Sequence, residues 1–435
     1  MLALFSPLSA LSSARAVTSR QPLHCRSLIS LALVCSATAH AQSGPGVELF
    51  GRLDLGLVAF KGIEAKTTTV LGSGMSHGSF LGVRGEEDLG QGYKAVFVME
   101  HGLHADSGDT NQPEPLSGRR IPEYATRGLP DEIAPVMQAA LGDFLIEKTK
   151  HPFWGRQALL GLITPVGAIL GGRLYTPAYE IFDRYDPMES GNVADPYALL
   201  AVPEAMEVRT SRTLQYRIEI DGLSAALAWS GASSEGLTPT GRFIGGFVGY
   251  ETPTFSASVA HQQRKNSQGR AELSNTVVGA WWKIDAFKLM GSYIVARNDH
   301  PELGLALLAQ TEGVSSDPDV QAAFTASAQA VGRQLQIDSH LVTVGVQYRP
   351  APQWRLIANH ARLREDKLAA GQAQLWGAAM EYNLSKRTAL WTAAAYIDNQ
   401  ADQQVAPITS NNFTGFALRP GQATSALQVS ISHQF

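Results

Sequence analysis

Apolar and polar residues alternate along many short segments of this chain. In the C-terminal segment one face is mainly apolar and the other entirely polar: Leu427, Val429, Ile431, His433 and Phe435 alternate with Gln428, Ser430, Ser432 and Gln434. Successive side chains of a β-strand point to opposite faces, so this alternation predicts a strand with one apolar and one polar side. The chain is therefore expected to consist mainly of strands.

Sixteen segments follow this pattern; short turns join them in pairs, and longer polar stretches separate the pairs. The predicted strands are 47–60, 79–88, 92–103, 154–163, 167–173, 209–219, 223–230, 241–250, 254–263, 273–283, 287–296, 340–348, 354–363, 373–382, 388–397 and 423–435. The apolar run 158–172 is divided by Thr164-Pro165. Because it is also shorter than the ~18 residues of a membrane-spanning helix, we interpret it as two strands and a turn.

Two all-β fold classes explain such strands. In a soluble sandwich or propeller the apolar face forms the core, whereas in a transmembrane barrel it faces lipid and the polar face lines a lumen. The polar faces here mix Arg, Asp, Gln, Ser and Gly, which is more typical of a pore wall than of a surface rich in Lys and Glu. The even strand number and the alternating connection lengths favour a 16-stranded antiparallel transmembrane β-barrel.

An export signal is predicted at the N-terminus. Several arginines precede the short apolar run 28–34, and a small-x-small tripeptide ending at Ala41 follows it. This is the order of parts in a secretory signal peptide. We therefore expect residues 1–41 to be removed and residues 42–435 to form the barrel.

Composition and charge narrow the possible functions. The 435 residues carry 35 basic and 39 acidic side chains, a formal net charge of −4, and the mean hydropathy is −0.06. These values exclude a helical membrane protein and argue against nucleic acid as a partner. The two cysteines, Cys25 and Cys35, both lie in the predicted signal, so the exported chain is expected to contain no disulfide.

Two short motifs suggest chemistry but lack its structural context. Residues 74–78 read Gly-Met-Ser-His-Gly and match the G-x-S-x-G nucleophile motif, yet a strand rather than a helix follows them. His101, His104 and Asp106 could form a metal site, but residues three apart in a strand point to opposite faces. The sequence predicts neither an enzyme nor a bound cofactor.

Longer motifs are spread over nearly all of the exported chain. They are 47–54 (VELFGRLD), 85–90 (GEEDLG), 156–158 (RQA), 172–177 (GRLYTP), 382–388 (YNLSKRT) and 432–435 (SHQF). In these motifs and their order the chain resembles the trimeric general porins of Gram-negative outer membranes, closest to the betaproteobacterial branch. The resemblance implies a sixteen-stranded barrel whose third long loop folds inward and narrows the channel.

The resemblance also implies which residues line the narrow part. The constriction loop is expected at about 174–207, and its candidate residues are Tyr175, Tyr179, Glu180, Asp183, Asp186 and Glu189. Family porins place basic side chains on the wall opposite this loop, and the motifs transfer that role to Arg52, Arg156 and Arg209. Phe80 stands where the family's second strand usually carries an arginine, which leaves the sign of any ion preference open. The other residues expected on the lumen wall are Asp54, Arg84, Lys94 and Arg173.

The implied function is passive diffusion of ions and small hydrophilic solutes through a water-filled pore in the outer membrane. The implied partners are further copies of the chain in a homotrimer, outer-membrane lipid and lipopolysaccharide, and the barrel-assembly machinery, which reads a C-terminal aromatic, here Phe435. A surface adhesin or receptor with a nearly closed pore is an alternative. So is an uptake channel selective for one substrate.

Two connections are longer than the family usually has. In the insertion at about 103–152, a helix is predicted to start at Pro130; in the insertion at about 298–338, another is predicted to start at Asp317. The first helix could contact a neighbouring subunit or cover the mouth of its own barrel. No purpose is assigned to the second insertion.

Overall fold

The computed structural model describes residues 46–110, 125–149, 153–189, 191–200, 205–232, 241–313, 315–367, 370–410 and 416–435. The predicted signal, residues 1–41, lies outside the described residues. Within them, strands form one sheet in which neighbouring strands are antiparallel.

The strands follow the alternating segments closely. They are β1 (Gly46–Lys61), β2a (Thr68–Ser73), β2b (Phe80–Gly90), β3 (Tyr93–Gly102), β4 (Gln157–Thr164), β5 (Gly167–Tyr175), β6 (Arg209–Ile220), β7 (Leu223–Ser230), β8 (Phe243–Glu251), β9 (Phe255–Lys265), β10 (Ala271–Ile284), β11 (Phe287–Asn298), β12 (Ile337–Ala351), β13 (Trp354–Glu365), β14 (Gly371–Asn383), β15 (Thr388–Ala401) and β16 (Thr424–Gln434).

The second position of the sheet is occupied by two strand segments. β2a pairs with residues 55–60 of β1, and β2b pairs with residues 46–52 of the same strand. The two segments therefore share one strand position, and the sheet has sixteen strand positions in all among the described residues. The sequence prediction began this strand at residue 79 and missed β2a, a threonine-rich segment without a clear apolar face.

The sheet closes into a barrel through its first and last strands. β1 pairs with β16 from Arg52↔Gln434 to Lys61↔Ser425, and Phe435 exchanges backbone hydrogen bonds with Gly51. The apolar face points outward: Leu427 is 58% exposed, whereas its neighbour Gln428 is fully buried. An apolar exterior and a polar interior are the reverse of a soluble sandwich, so the predicted sixteen-stranded transmembrane barrel is confirmed.

Strands β3 to β5 depart from the polar interior. Their inward side chains, together with Phe50 on β1, form a packed apolar cluster: Val96, Val98, Leu159, Ile163, Ala168, Leu170 and Leu174. The predicted division of the run 158–172 into two strands is correct, since β4 and β5 pair across the turn after Thr164. This hairpin is apolar on both faces because its inner face packs in the cluster.

Helices occur in the long connections. They are α1 (Ala134–Thr149), α2 (Pro177–Tyr185), α3 (Glu302–Thr311) and α4 (Pro318–Gln334), with a 3-10 turn at Pro196–Leu199. The two predicted helices correspond to α1 and α4, whereas α2 and α3 were not predicted. None of the described helices combines the length and the apolarity needed to cross a membrane.

Candidate channel constriction

The connection between β5 and β6, residues 176–208, is called the inner loop. Its described parts, 176–189, 191–200 and 205–208, fold into the barrel. Its helix α2 starts at Thr176, whose hydroxyl accepts a hydrogen bond from the Tyr179 amide. At the other end of α2, the Tyr185 hydroxyl lies 2.8 Å from Ser256 Oγ and 2.7 Å from Ser258 Oγ, both on β9. The helix is thereby fixed against inward side chains of the wall.

The rest of the inner loop runs on along that wall. Gln347 Nε2 on β12 donates to the Pro187 carbonyl at 2.9 Å, and Asn359 Nδ2 on β13 donates to the Ala194 carbonyl at 2.9 Å. The Val193 amide donates to Gln428 Oε1 on β16 at 3.1 Å. Contacts from β9 round to β16 hold the loop against the inner wall of the barrel, where it narrows the passage.

Two of the predicted acidic residues of the inner loop are paired with wall cations. Glu180 forms an ion pair with Arg217 on β6. Glu189 lies 2.7 Å from Lys288 Nζ on β11 and 2.6 Å from Arg355 Nη1 on β13. Burial alone would raise the pKa of Glu189, but the two cations hold it below its usual value. These two carboxylates therefore anchor the loop to the wall, since an unpaired charge is costly to bury.

Two further predicted acids of the inner loop have different surroundings. Asp186 Oδ1 accepts a hydrogen bond from the Met188 amide at 3.0 Å and so holds a turn. Asp183 is half-buried, and within the described residues its carboxylate makes no hydrogen bond or ion pair. Burial and the neighbouring carboxylates of Glu189 and Glu180 raise the pKa of Asp183 to about 6. Asp183 is therefore the inner-loop acid available to the lumen.

Two of the predicted wall arginines lie close together. The Arg156 guanidinium stacks over Phe80 at 4.7 Å and lies 3.3 Å from Glu100 Oε2. Arg52, within electrostatic range of Arg156, has Gln434 as its polar neighbour and no ion pair within the described chain. Phe80 stands where the family usually carries an arginine, but its ring supports the Arg156 side chain, so the wall still has a cation at this level.

Arg209 belongs to an aromatic stack at the start of the inner loop. It donates to the Tyr175 hydroxyl at 2.8 Å and lies 4.5 Å above the Tyr175 ring. Tyr175 in turn stacks on Tyr179, with ring centroids 5.5 Å apart. No carboxylate lies at ion-pair distance from Arg209 among the described residues; its guanidinium instead contacts the hydroxyl and the ring face of Tyr175.

Three of the residues expected on the lumen wall have hydrogen-bond or ion-pair partners of their own. Arg84 pairs with Glu48 at 2.8 Å, and Lys94 pairs with exposed Glu86 beside a short turn. Arg173 donates to the Gly155 carbonyl at 2.7 Å and to Ser211 Oγ at 2.9 Å. Their hydrogen bonds and ion pairs tie them to neighbouring strands and connections.

Asp54 has a structural role in place of the expected exposure to the lumen. Residues 74–79 separate β2a from β2b, and we call them the strand-2 insert. This insert folds over the Asp54 side chain. Its carboxylate, fully buried, accepts backbone hydrogen bonds from Met75 at 2.7 Å, Ser76 at 3.1 Å and His77 at 3.2 Å. The serine of the G-x-S-x-G match faces Ser430 Oγ at 2.9 Å, which is a wall contact and not a catalytic arrangement.

The histidines considered for a metal site have other surroundings. His101 stacks on Phe153, with ring centroids 4.1 Å apart, and contacts the carbonyl oxygen of the same residue. Among the described residues no group of three or more His, Cys, Asp or Glu side chains is placed to hold a metal ion. His101 therefore packs against the segment that leads into β4.

Sequence reasoning missed Arg355, the most enclosed cation of the site. Its side chain, 6% exposed, lies 2.6 Å from Glu381 on β14 as well as from Glu189. Trp354 beside it points outward, so alternation along β13 alone could have placed Arg355 inside. Its partner on the inner loop was not predictable, because the two residues are far apart in the sequence.

A closed barrel with an apolar exterior and a loop folded into its lumen defines an outer-membrane diffusion channel. The sequence pattern of the Gram-negative porin family matches residues 27–402, and the chain belongs to that family. It is 25% identical over 418 residues to outer membrane porin protein 32 of Delftia acidovorans, covering 94% of this chain and 99% of that protein.

Solved structures show the same fold. The anion-selective porin from Comamonas acidovorans superposes with a TM-score of 0.64 at 20% identity, over 90% of this chain and all of that one. OmpT of Vibrio cholerae gives a TM-score of 0.56 at 14% identity, over 91% of this chain and 99% of that one. The chain is thus a passive channel of the outer membrane and not an enzyme, as predicted.

Proposed function

We propose that the channel passes small hydrophilic anions more readily than cations, with Arg52, Arg156 and Arg209 as the basic wall of the constriction. The observation that carries this proposal is an imbalance of unpaired charge. Glu180 and Glu189 are neutralised by wall cations, and Asp183 is the one inner-loop acid described above as available to the lumen. Against it stand two arginines, Arg52 and Arg209, which form no ion pair among the described residues. Fixed charge of one sign in a confined space biases which ions enter.

Replacing Arg52 or Arg156 by alanine tests the sign of this preference. We expect the anion-to-cation permeability ratio, measured from the reversal potential in a salt gradient, to fall by roughly twofold or more. The matched control is Lys94→Ala, which removes a cation beside a short turn and should leave the ratio close to native. An unchanged ratio in both arginine variants would place these side chains outside the narrow zone.

We also propose that the protein is a homotrimer, joined through strands β16 and β1 to β5. The large apolar side chains exposed on these strands are aliphatic, apart from Tyr93 at the first residue of β3 and Phe435, which directly follows β16. They are Val47, Leu49, Leu53, Leu57, Leu71, Leu81, Leu89, Leu160, Leu162, Ile169, Leu427, Val429 and Ile431. Over β6 to β15, by contrast, exposed aromatic side chains recur: Tyr216, Trp229, Tyr250, Phe255, Trp282, Phe287, Tyr293, Trp354, Trp376 and Tyr396.

This distribution supports a subunit contact because aromatic residues concentrate where a barrel meets the lipid headgroups. A face almost without them is suited to contact another protein surface. Leu160→Arg on β4 should therefore lower the trimer fraction in mild detergent, measured by size-exclusion chromatography with light scattering. Leu227→Arg, the same change at an exposed position on β7, should leave it unchanged. Equal trimer fractions in the two variants would contradict the assignment of the face.

The remaining proposals follow from the family. Residues 1–41 are proposed to be the export signal, and Phe435, whose backbone pairs with Gly51, to be read by the barrel-assembly machinery. Lipopolysaccharide and outer-membrane lipid are proposed to cover the aromatic face of β6 to β15.

A further inference from the structure

The two insertions leave the barrel on opposite sides. One connects β3 to β4 and the other connects β11 to β12, which are eight positions apart in a ring of sixteen. Helices that belong to these connections can reach each other directly only by extending over the mouth of the barrel.

The helices of the two insertions share one apolar core. Its buried residues from the first insertion are Ala125, Ile133, Met137 and Leu141, and those from the second are Leu307, Ala328, Val331 and Leu335. Within the second insertion, α3 and α4 approach closely at two glycines: a Cβ added to Gly304 would lie 2.8 Å from the Gly332 Cα. The three helices α1, α3 and α4 therefore form one packed unit, which we call the roof.

Polar contacts tie the two insertions to other loops of the same mouth. Arg127 Nη2 donates to Gln404 Oε1 at 2.9 Å, in the connection between β15 and β16. Glu302 accepts from the Ser267 amide and hydroxyl, each at 2.7 Å, in the connection between β9 and β10. Loops on different sides of the barrel hold the roof in place.

We propose that the roof is a second selectivity barrier, in series with the inner loop. This proposal rests on the channel function. The roof determines which solutes reach the constriction: compact hydrophilic solutes pass beside the helices, and elongated ones are held back. The contacts between opposite sides of the barrel extend the lid alternative for the first insertion to both insertions. Charge at the inner loop and size at the roof then select solutes separately.

Leu307→Asp tests the roof, because Leu307 is 0% exposed in its apolar core and a buried carboxylate would separate the helices. We expect single-channel conductance to rise roughly twofold, as when one of two comparable series barriers is removed. In liposome swelling, the permeation rate of raffinose relative to glucose should rise as well. Val320→Asp, at an exposed position of α4, is the matched control and should behave as native.

A second variant, in which residues 302–335 are replaced by a short Gly/Ser connector, removes α3 and α4 outright. It should reproduce the effect of Leu307→Asp. If this variant forms heat-modifiable barrels with native conductance and native raffinose exclusion, the helices lie outside the permeation route and the proposal is overturned. That outcome would leave the channel function and the arginine wall intact.

Discussion

Asp54→Ala should destabilise the barrel more than Glu48→Ala, the loss of the other acidic side chain on β1. The carboxylate is fully buried and accepts three backbone hydrogen bonds from the strand-2 insert, at Met75, Ser76 and His77. Its removal leaves these amides without their acceptor, at a cost of about 2–4 kcal/mol after partial hydration. The measurement is the temperature at which heated samples lose the gel mobility of the folded barrel and migrate as unfolded chain.

Two further variants make this result specific. Asp54→Asn keeps one acceptor oxygen and loses the charge, so its loss of stability should be intermediate. Glu48→Ala removes an exposed carboxylate from the same face of β1, where it pairs with Arg84. Exposed ion pairs contribute about 0–1 kcal/mol, so this variant should unfold close to the native temperature. Equal stability of the Asp54→Ala and Glu48→Ala proteins would show that the insert does not depend on Asp54.

Glu189→Gln should loosen the inner loop and increase anion preference. Glu189 links the loop to Lys288 and Arg355, and only Arg355 retains a second acidic partner, Glu381. The change adds one net positive charge to the narrow part, so the anion-to-cation permeability ratio should rise by roughly twofold. Because the anchor is lost, fluctuations of the open-channel current should also increase.

Asp183→Asn separates these two effects. At pH 8 the Asp183 carboxylate is ionised, since its pKa is raised only to about 6, so the substitution removes the same charge without breaking an anchor. It should raise the permeability ratio and leave the current fluctuations native. Below pH 6 native Asp183 is mostly protonated, and the difference between the native and Asp183→Asn channels should disappear. Increased fluctuations in both variants at pH 8 would contradict the anchoring role of Glu189.

The barrel could be predicted because its geometry imposes a period of two on the sequence. Every spanning strand must present apolar side chains outward, to lipid or to a neighbouring subunit, and this requirement is local, so segments such as Leu427 to Ile431 carry it in full. The side of β1 on which Arg52 lies was predictable for the same reason, because it alternates with outward-facing Leu53.

The contacts that hold the constriction could not be predicted, because they join distant parts of the chain. Glu189 and Arg355 are 166 residues apart, and neither sequence neighbourhood indicates the other. β2a was missed because its sequence shows no clear apolar face, and the insert that follows it is held by another distant residue, Asp54 of the preceding strand. The helix α3 was missed because its first turn has no side-chain cap that could mark its start.

The hairpin of β4 and β5, apolar on both sides, has a consequence for biogenesis. An outer-membrane protein crosses an aqueous compartment unfolded, and there this hairpin has no polar face to turn toward water. Uncharged apolar stretches of this kind readily associate between chains. We therefore expect periplasmic chaperones to bind residues 158–172 before the chain inserts into the membrane.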